Sequence, residues 1–186
     1  MPLTATDFPG LYIFEPVVHT DARGYFFESY NANTFREGGL DIQFRQDNQA
    51  RSTYGVLRGL HYQLDPYSQT KLIRVLEGRI LDVVVDMRKG SPTYGQVYTI
   101  ELSAENKKQL LVPQGFAHGY SVLSPTAEVL YKCDNFYHKA SEGGIRYDDP
   151  SLNIDWGIPL AEAIVSGKDA ELPLLADCRH NFTFQP

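Results

Sequence analysis

Four side chains that could carry proton-transfer chemistry lie in segments that otherwise read as interior β-strands. They are His61, Lys71, His118 and Tyr131. Because successive residues of a strand point to opposite sides, alternation assigns each of them to the apolar, inward face of its segment. Each residue alone is most simply a hydrogen-bonded interior side chain, but four buried together are hard to explain by packing. The set therefore predicts a polar site inside a β-structure.

Histidine and tyrosine together can move protons at a carbon atom. A histidine with a pKa of about 6.5 accepts a proton at neutral pH, and a tyrosine with a pKa of about 10 still has one to give. On opposite sides of a carbon next to a ketone, the two would invert that carbon through an enolate. An ammonium such as Lys71, aimed at the enolate oxygen, would contribute about 3 to 4 kcal/mol. The chain has no Gly-rich phosphate loop and no Gly-x-Ser-x-Gly segment, so acid–base chemistry is the prediction.

The segments that must position these residues read as short strands. Apolar runs are separated by Gly, Pro, Asn and Asp, as in "GVLRGLHYQ", "KLIRVLEGRILDVVVDM", "FAHGYSVL" and "EVLYKCDNFY". Such spacing predicts a mainly β sandwich or barrel. One helix is expected at "NANTFREGG", capped by Asn31 and ended by Gly38, with a further short helix at "LAEAI". Beyond Gly143 the chain reads as irregular.

Alternation also predicts which neighbours these side chains have. In "RILDVVVDM" the odd positions 81–87 are expected to face the core, which leaves Asp82 on the other face. In "GVLRGLHYQ", His61 should share a face with Leu57 and Gln63. Arg58 lies three residues before His61 and should point the opposite way, unless the glycine between them permits a bulge.

Composition limits the partners and the location of the protein. The 186 residues suit one domain spanning 1–186, and no shift in composition marks a linker. Two cysteines, Cys133 and Cys178, are too few for a disulfide framework, and no basic-then-apolar leader begins the chain, so a cytoplasmic protein is expected. No apolar run is long enough to span a membrane. The net charge of -6 disfavours nucleic acid, and an anionic small molecule would need locally clustered arginines and lysines.

The segment "PQGFAHGYSV" resembles the second half of the cupin motif, in which the histidine, here His118, binds a metal. The first half of that motif requires His-x-His followed by a glutamate. This chain has His61, Tyr62 and Gln63 instead, with no further His or Glu before Lys71. Two histidines are too few good ligands for zinc or iron, and an inward ammonium would repel a cation. No metal is expected, and a metal-dependent cupin oxygenase is the weaker alternative.

Longer segments extend the resemblance to one family. They are "DARGYFFESY", "FRQDNQARSTYGVLRGLHYQ", "KLIRVLEGRILDVVVDMR", "VPQGFAHGYSVL", "LYKCDNFYHKASEGGIRYDDPSLNIDW" and "SGKDAELP". Over nearly its whole length the chain resembles the dTDP-4-dehydrorhamnose 3,5-epimerases, metal-free cupins of dTDP-L-rhamnose synthesis. The resemblance implies a mainly β cupin fold, a double-stranded β-helix or jelly-roll barrel with a few short helices, and no cofactor.

The resemblance also implies catalytic roles. His61 in "RGLHYQ" would be the base, with Asp169 in "SGKDAELP" holding its other ring nitrogen. Tyr131 in "LYKCD" would be the acid on the opposite face of the sugar. Lys71 would lie near the C4 oxygen, where the chemistry above had already required a positive charge.

A substrate-contact set follows from the same resemblance. It comprises Arg23, Phe26, Glu28, Gln46, Asp47, Asn48, Arg58, His118, Tyr137, Glu142 and Lys168. Within it, Gln46 and Asn48 should share a strand face toward the nucleotide, and Tyr137, rather than Phe136, should stack on thymine. The Arg23 to Glu28 stretch would come from a neighbouring subunit, which implies a homodimer.

The expected activity is inversion of C3 and C5 of dTDP-4-dehydro-6-deoxy-D-glucose to give dTDP-4-dehydro-L-rhamnose. Three alternatives stay open at this point. A relative could invert only C3 or only C5, since pocket shape decides between them. A cupin could merely bind a nucleotide sugar, although it would not need the His61, Asp169, Lys71 and Tyr131 set. A 3,4-ketoisomerase is less favoured, because the "LYKCD" and "SGKDAELP" segments fit the epimerases.

Overall fold

The strands of this protein are short and mostly antiparallel. The structure is a computed structural model that describes residues 2–185. Within those residues the strands are β1 (Leu3–Ala5), β2 (Tyr12–Phe14), β3 (His19–Asp21), β4 (Gly24–Phe26), β5 (Gln46–Thr53), β6 (Val56–Gln63), β7 (Lys71–Glu77), β8 (Arg79–Asp86), β9 (Val97–Ser103), β10 (Gln109–Val112), β11 (Phe116–Val122), β12 (Thr126–Cys133), β13 (Glu142–Gly144) and β14 (Ile164–Val165). The helices are α1 (Ala32–Glu37) and α2 (Gly167–Ala170), with 3-10 turns at Lys139–Ser141 and Leu160–Glu162.

Two sheets face each other. Sheet I has the order β1-β2-β10-β7-β12-β5, and sheet II has the order β13-β6-β11-β8-β9, with β14 added in parallel beside β6. Strands β3 and β4 form a separate hairpin. From β5 to β8 the chain changes sheet at every step, and β9 to β12 cross between the sheets as well. Inward residues from strands of both sheets therefore converge on one interior, as in a jelly roll.

The interior between the sheets is largely apolar. Sheet I contributes Ile73 and Val129, and sheet II contributes Val84, Phe116 and Val122, all nearly inaccessible to solvent. Burying an aliphatic or aromatic side chain of this size contributes about 1.5–3 kcal/mol. This core fixes the spacing of the sheets and hence the positions of the polar side chains that share the interior.

Both faces of β8 are buried, which corrects one expectation. Val83 and Val85 do pack into a core, but it lies on the outer side of sheet II, where Trp156 and other residues of the irregular C-terminal third cover it. The even positions, which alternation left on the other face, line the interior instead, so Val84 and Asp82 point between the sheets. Alternation alone could not tell the two cores apart.

The predicted helix at residues 31–38 is confirmed. The Asn31 side chain accepts a hydrogen bond from the Asn33 N–H, and Gly38 is the C-cap of α1. Its buried Phe35 packs on the outer side of sheet I against Leu72. The "LAEAI" segment forms only the 3-10 turn Leu160–Glu162. No helix within residues 2–185 is both long and apolar enough to cross a membrane.

Candidate active site

Two adjoining cavities open at one end of the interior. The first has a volume of about 570 Å³ and the second about 590 Å³. The residues that line both are His61, Lys71, Tyr131 and Lys168. Three of the four residues singled out by their chemistry thus lie where the cavities meet, and the fourth, His118, lines the first cavity.

The four side chains come from four strands in two sheets. Lys71 begins β7 and Tyr131 lies near the end of β12, both in sheet I. His61 in β6 and His118 in β11 are direct cross-strand partners in sheet II. The inward direction predicted for these residues is therefore confirmed, and His61 and Tyr131 approach the cavities from opposite sheets.

A bulge in β6 brings Arg58 to the same side as His61. Pairing with β11 joins His61 to His118 and Arg58 to Tyr120, so three steps along β6 match two along β11. Gly59 lies in this bulge with a φ of +114°, and a Cβ there would lie 2.6 Å from a backbone atom of the facing strand. The bulge proposed from the sequence is confirmed, and Arg58 lines the first cavity.

The same bulge changes the neighbours of His61. Gln63 lines the second cavity with His61, as alternation predicted. Leu57 packs in the outer core of sheet II, although it also borders the first cavity. The expectation that Leu57 shares a face with His61 is wrong, because the bulge between them reverses the alternation.

His61 is paired with Asp169. Its Nε2 lies 2.7 Å from Oδ1 of Asp169, and the other carboxylate oxygen accepts the Gly59 N–H at 3.1 Å. Asp169 lies in α2, which Ser166 caps by accepting the Asp169 N–H. Burial by itself would raise the pKa of Asp169, but these hydrogen bonds, above all that with His61, hold it below its usual value. The imidazole, 40% exposed, thus has Nε2 bound to a carboxylate and Nδ1 free for chemistry.

His118 forms a second pair of the same kind with Asp82. Its Nε2 lies 2.5 Å from Oδ1 of Asp82, and both side chains are buried. Sequence reasoning missed Asp82, because alternation had left it on the face opposite the expected core. The signal that could have found it is the apolar character of both faces of "RILDVVVDM", which indicates a strand covered on both sides.

Burial shifts the proton affinities of the other two groups. It raises the pKa of the Tyr131 hydroxyl to about 12, so that hydroxyl is protonated at neutral pH. It lowers the pKa of the Lys71 ammonium, and the nearby Cys133 and Asp82 oppose that shift. Tyr131 is therefore suited to donate a proton, and Lys71 is an amine whose proton is held less tightly than that of an exposed lysine.

The second cavity gathers five residues of the predicted substrate-contact set. They are Gln46, Asn48, Tyr137, Glu142 and Lys168. The Gln46 side-chain amide donates to Asn48 Oδ1 at 3.0 Å, so these two share a strand face as predicted. Lys168 Nζ lies 2.8 Å from Glu142 Oε2, an ion pair that lowers the pKa of Glu142 and raises that of Lys168.

Gln63 organises the loop that carries Tyr137, and it was not among the predicted contacts. The Gln63 amide donates to the carbonyl oxygens of Tyr67 and Phe136, at 2.7 and 3.2 Å, and its Oε1 accepts the His138 N–H at 2.6 Å. The Tyr137 N–H donates to Gln46 Oε1 at 3.0 Å. Gln63 and Gln46 thus hold the backbone of residues 136–138 by hydrogen bonds, while the Tyr137 side chain stays exposed.

Four residues of the predicted set do not line either cavity. Asp47 lies on the opposite face of β5 from its neighbours in sequence and forms an ion pair with Lys132 at 3.0 Å. Arg23 and Phe26 belong to the exposed β3–β4 hairpin, and Glu28 follows it. The Arg23 guanidinium is paired with Asp21 at 2.6 Å and is 91% exposed. Within one chain, the hairpin residues are not brought to the site.

The side chains around the cavities do not form a metal-binding set. Among residues 2–185, no group of three or more His, Cys, Asp or Glu side chains is arranged to hold a metal ion. Each of the two cavity histidines has its Nε2 engaged by a carboxylate, and the basic side chains of Arg58, Lys71 and Lys168 line the same cavity. Such a donor set suits a polar organic ligand better than a cation.

Comparison with known proteins identifies close relatives of the whole chain. A family model described as dTDP-4-dehydrorhamnose 3,5-epimerase matches residues 5–177. The chain is 52% identical over 170 residues to a protein of that name from Shigella flexneri, covering 91% of this chain and 93% of that protein. A crystal structure of a protein of that name from Elizabethkingia anophelis superposes with a TM-score of 0.91 at 53% identity, covering 94% of this chain and 96% of that chain.

A second solved structure contains a ligand. It is a dTDP-6-deoxy-D-glucose-3,5-epimerase from Legionella pneumophila in complex with dTDP-4-keto-L-rhamnose, with a TM-score of 0.89, 47% identity, and coverage of 94% of this chain and 93% of that chain. These likenesses, with the two facing sheets, confirm the mainly β, cupin-type jelly-roll fold with few short helices.

Proposed function

Since this chain belongs to the dTDP-4-dehydrorhamnose 3,5-epimerase family, we propose that its joined cavities invert C3 and C5 of dTDP-4-dehydro-6-deoxy-D-glucose by histidine–tyrosine acid–base catalysis. The chain is an isomerase of dTDP-L-rhamnose biosynthesis, and its product is dTDP-4-dehydro-L-rhamnose. The assignment of roles to residues is carried by one observation. His61, bonded to Asp169 at 2.7 Å, and Tyr131 reach the same cavities from opposite sheets.

Each inversion takes two proton transfers. Nδ1 of His61 removes the proton from the carbon, and the electrons of the C–H bond move into the ring to form an enolate whose charge rests on the C4 oxygen. The Tyr131 hydroxyl then gives its proton to the opposite face of that carbon, and the enolate electrons form the new C–H bond. Exchange with solvent returns His61 and Tyr131 to their starting protonation states. Solvent hydrogen is therefore incorporated at every inverted carbon.

Lys71 is the proposed stabiliser of the enolate. Its ammonium lies in both cavities, in an interior where electrostatic interactions are stronger than in water. A fixed positive charge at a developing oxyanion contributes about 3 to 4 kcal/mol to lowering the barrier. The role requires Lys71 to be protonated, although burial lowers its pKa.

The second cavity is the proposed nucleotide end of the site. Lys168, which lines both cavities, and Arg58, which lines the first, offer the positive charge that a diphosphate lying between the two cavities needs in a protein whose net charge is -6. The Tyr137 ring, 55% exposed at the cavity edge, is the proposed stacking partner of thymine. In this proposal Gln46, Asn48, Glu142 and His118 contact the substrate by hydrogen bonds, and Asp47 takes part through its backbone.

A homodimer forms part of the proposal. The β3–β4 hairpin presents Tyr25 and Phe26, which are 63% and 68% exposed, together with Arg23. Large exposed aromatic side chains beside a positive charge are typical of protein interfaces. We propose that the Arg23 to Glu28 stretch of one chain completes the site of its partner.

The domain organisation and the cellular location of the protein are also part of the proposal. We propose that residues 1–186 form one cupin-type unit, because the inner and outer cores share the strands of the same two sheets. We also propose that the protein works in the cytoplasm, where its free Cys133 and Cys178 would stay reduced.

The experiment that tests the function is proton NMR of dTDP-4-dehydro-6-deoxyglucose in deuterium oxide with chelator-treated protein. We expect exchange at both C3 and C5, and a product that a partner reductase converts to dTDP-L-rhamnose. Exchange at only one carbon would indicate a single-site epimerase. Tight binding without exchange would indicate a nucleotide-sugar-binding protein, and migration of the keto group would indicate a 3,4-ketoisomerase.

A further inference from the structure

Asp82 is a buried carboxylate that the proposed mechanism does not use. It lies in β8, it is inaccessible to solvent, and its Oδ1 meets His118 Nε2 at 2.5 Å. Within the described chain its other oxygen, Oδ2, has no hydrogen-bond partner. A half-satisfied buried carboxylate lowers stability, so its presence between two apolar sheets calls for a reason other than packing.

The contact determines which nitrogen of His118 carries the proton. An ionised carboxylate only accepts hydrogen bonds, so Nε2 of His118 must be the N–H that donates to Asp82. The side chain of His118 is 8% exposed and lies between β6 and β8, so the ring cannot turn over without breaking this contact. Nδ1 is then the nitrogen left for the cavity that His118 lines.

We infer that Asp82 is a positioning residue of the active site, which fixes the proton of His118 on Nε2 and presents Nδ1 to the substrate. The inference rests on the proposed function insofar as His118 is taken to contact the sugar nucleotide. It makes the two cross-strand histidines alike, since His61 and His118 each bind a carboxylate through Nε2.

The charge of Asp82 also acts on the Lys71 ammonium. Of the two groups that oppose the effect of burial on the Lys71 ammonium, one is Cys133, whose thiol pKa burial itself raises to about 11. That thiol is uncharged at neutral pH, so the carboxylate of Asp82 is the opposing charge that acts there. The other titratable groups that line the first cavity with Lys71 are His61, His118, Tyr120, Tyr131, Arg58, Lys168 and Asp169.

The test follows the imidazole N–H of His118 by NMR of protein labelled with ¹⁵N-histidine, assigned with a His118→Gln variant. We expect a downfield Nε2–H signal that exchanges slowly with solvent. Asp82→Leu, close in shape to aspartate but without an acceptor, should abolish the slow exchange. Asp82→Asn keeps an acceptor but no charge, so the signal should move upfield, which gives a readout if the leucine variant does not fold.

A matched control is Asp86→Asn. Asp86 is equally buried in β8, but it binds Arg88, Ser91 and Thr93 and lines neither cavity. The control should lower stability and leave the His118 signal unchanged. A His118 signal that keeps its position and its slow exchange in both Asp82 variants would overturn the inference.

Kinetics give a second readout. Asp82→Asn should lower kcat by about 10- to 100-fold, by analogy with the loss when the partner that orients a metal-binding histidine is removed. In a His118→Gln background most of that loss should vanish, because the residue that Asp82 orients is gone. Equal losses in both backgrounds would mean that Asp82 does not act through His118. If the wild type itself exchanged no protons at C3 or C5, the proposed function would fail, while the NMR result would still decide the role of Asp82.

Discussion

The two histidine–aspartate pairs of this site have the same contact and different surroundings. His61 is 40% exposed, and its partner Asp169 uses both oxygens, one for the imidazole and one for the Gly59 N–H. His118 is 8% exposed, and one oxygen of its partner Asp82 has no hydrogen bond from any residue between 2 and 185. The imidazole of His61 is thus open to solvent, whereas that of His118 is closed off from it. In our proposal the first pair carries protons and the second pair holds His118 in a fixed orientation.

Replacing Tyr131 tests whether the buried pair can act as an acid. If Tyr131 is the proton donor, Tyr131→Phe should lower formation of the fully inverted product by about 10⁴-fold, the upper range for one acid–base group. Proton exchange should persist at one carbon, because His61 still removes its proton. The measurement is NMR in deuterium oxide combined with a reductase-coupled assay. Full inversion at the normal rate would exclude Tyr131 as the proton donor and leave His118 as a candidate for that role.

Asp169→Asn should affect turnover more than Asp82→Asn. The asparagine removes the charge that supports a proton on the His61 ring and permits the wrong tautomer, so kcat should fall by about 10³-fold. The corresponding change at Asp82 should cost about 10- to 100-fold. Steady-state assays of both variants at one pH make the comparison, and equal losses would remove the distinction between the pairs.

Lys71, which lines both cavities next to the two pairs, should show the next largest effect. Lys71→Ala should slow turnover by about two to three decades if the ammonium stabilises the enolate. Because burial lowers the Lys71 pKa and raises that of Tyr131 to about 12, wild-type kcat should fall as pH rises through the lowered pKa of Lys71, before Tyr131 ionises. Lys71→Arg, which keeps its charge, should move that fall to higher pH. An unchanged rate in Lys71→Ala would assign the residue to structure alone.

The smallest expected effect is on stability in acid. The pKa of Asp169 is lower in the folded protein than in the unfolded chain. The ionised Asp169 therefore contributes its full stabilisation when the pH is above the ordinary pKa of aspartate, and this stabilisation is lost as pH falls through the pKa of the folded state. The wild type should therefore exceed Asp169→Asn in melting temperature at pH 6, by about 2–4 °C for each kcal/mol, and the gap should shrink below about pH 4. A gap that stays constant with pH would show that Asp169 acts through shape rather than charge.

The alternation of apolar and polar residues predicted the strands better than it predicted which core each strand face packs against. Alternation along the strands oriented Lys71, His118 and Tyr131 correctly. The register is regular where β11 pairs with β8, and it is regular between residues 71–75 of β7 and residues 129–133 of β12. The same alternation gave the wrong core for β8. The C-terminal third of the chain covers the outer face of this strand, and a contact between such distant segments cannot be predicted from the sequence of the strand alone. That failure is also why Asp82 was missed.

Long-range contacts came from family resemblance and not from pattern. His61 and Asp169 are 108 residues apart, and nothing in either segment alone predicts that they meet. The Gly59 bulge could be argued from the spacing of Arg58 and His61, and it is confirmed. The roles of the site residues and the dimer stay predictions, because they depend on a substrate and on a second chain.

The most direct test of the account is deuterium incorporation by His61→Ala and His118→Ala, measured side by side by proton NMR of the 4-keto sugar nucleotide. If the exposed pair carries the protons and the buried pair only positions, His61→Ala should show no exchange at C3 or C5. His118→Ala should then show slower exchange at both carbons. Exchange that persists in His61→Ala and is lost in His118→Ala would contradict the account and reverse the roles of the two pairs.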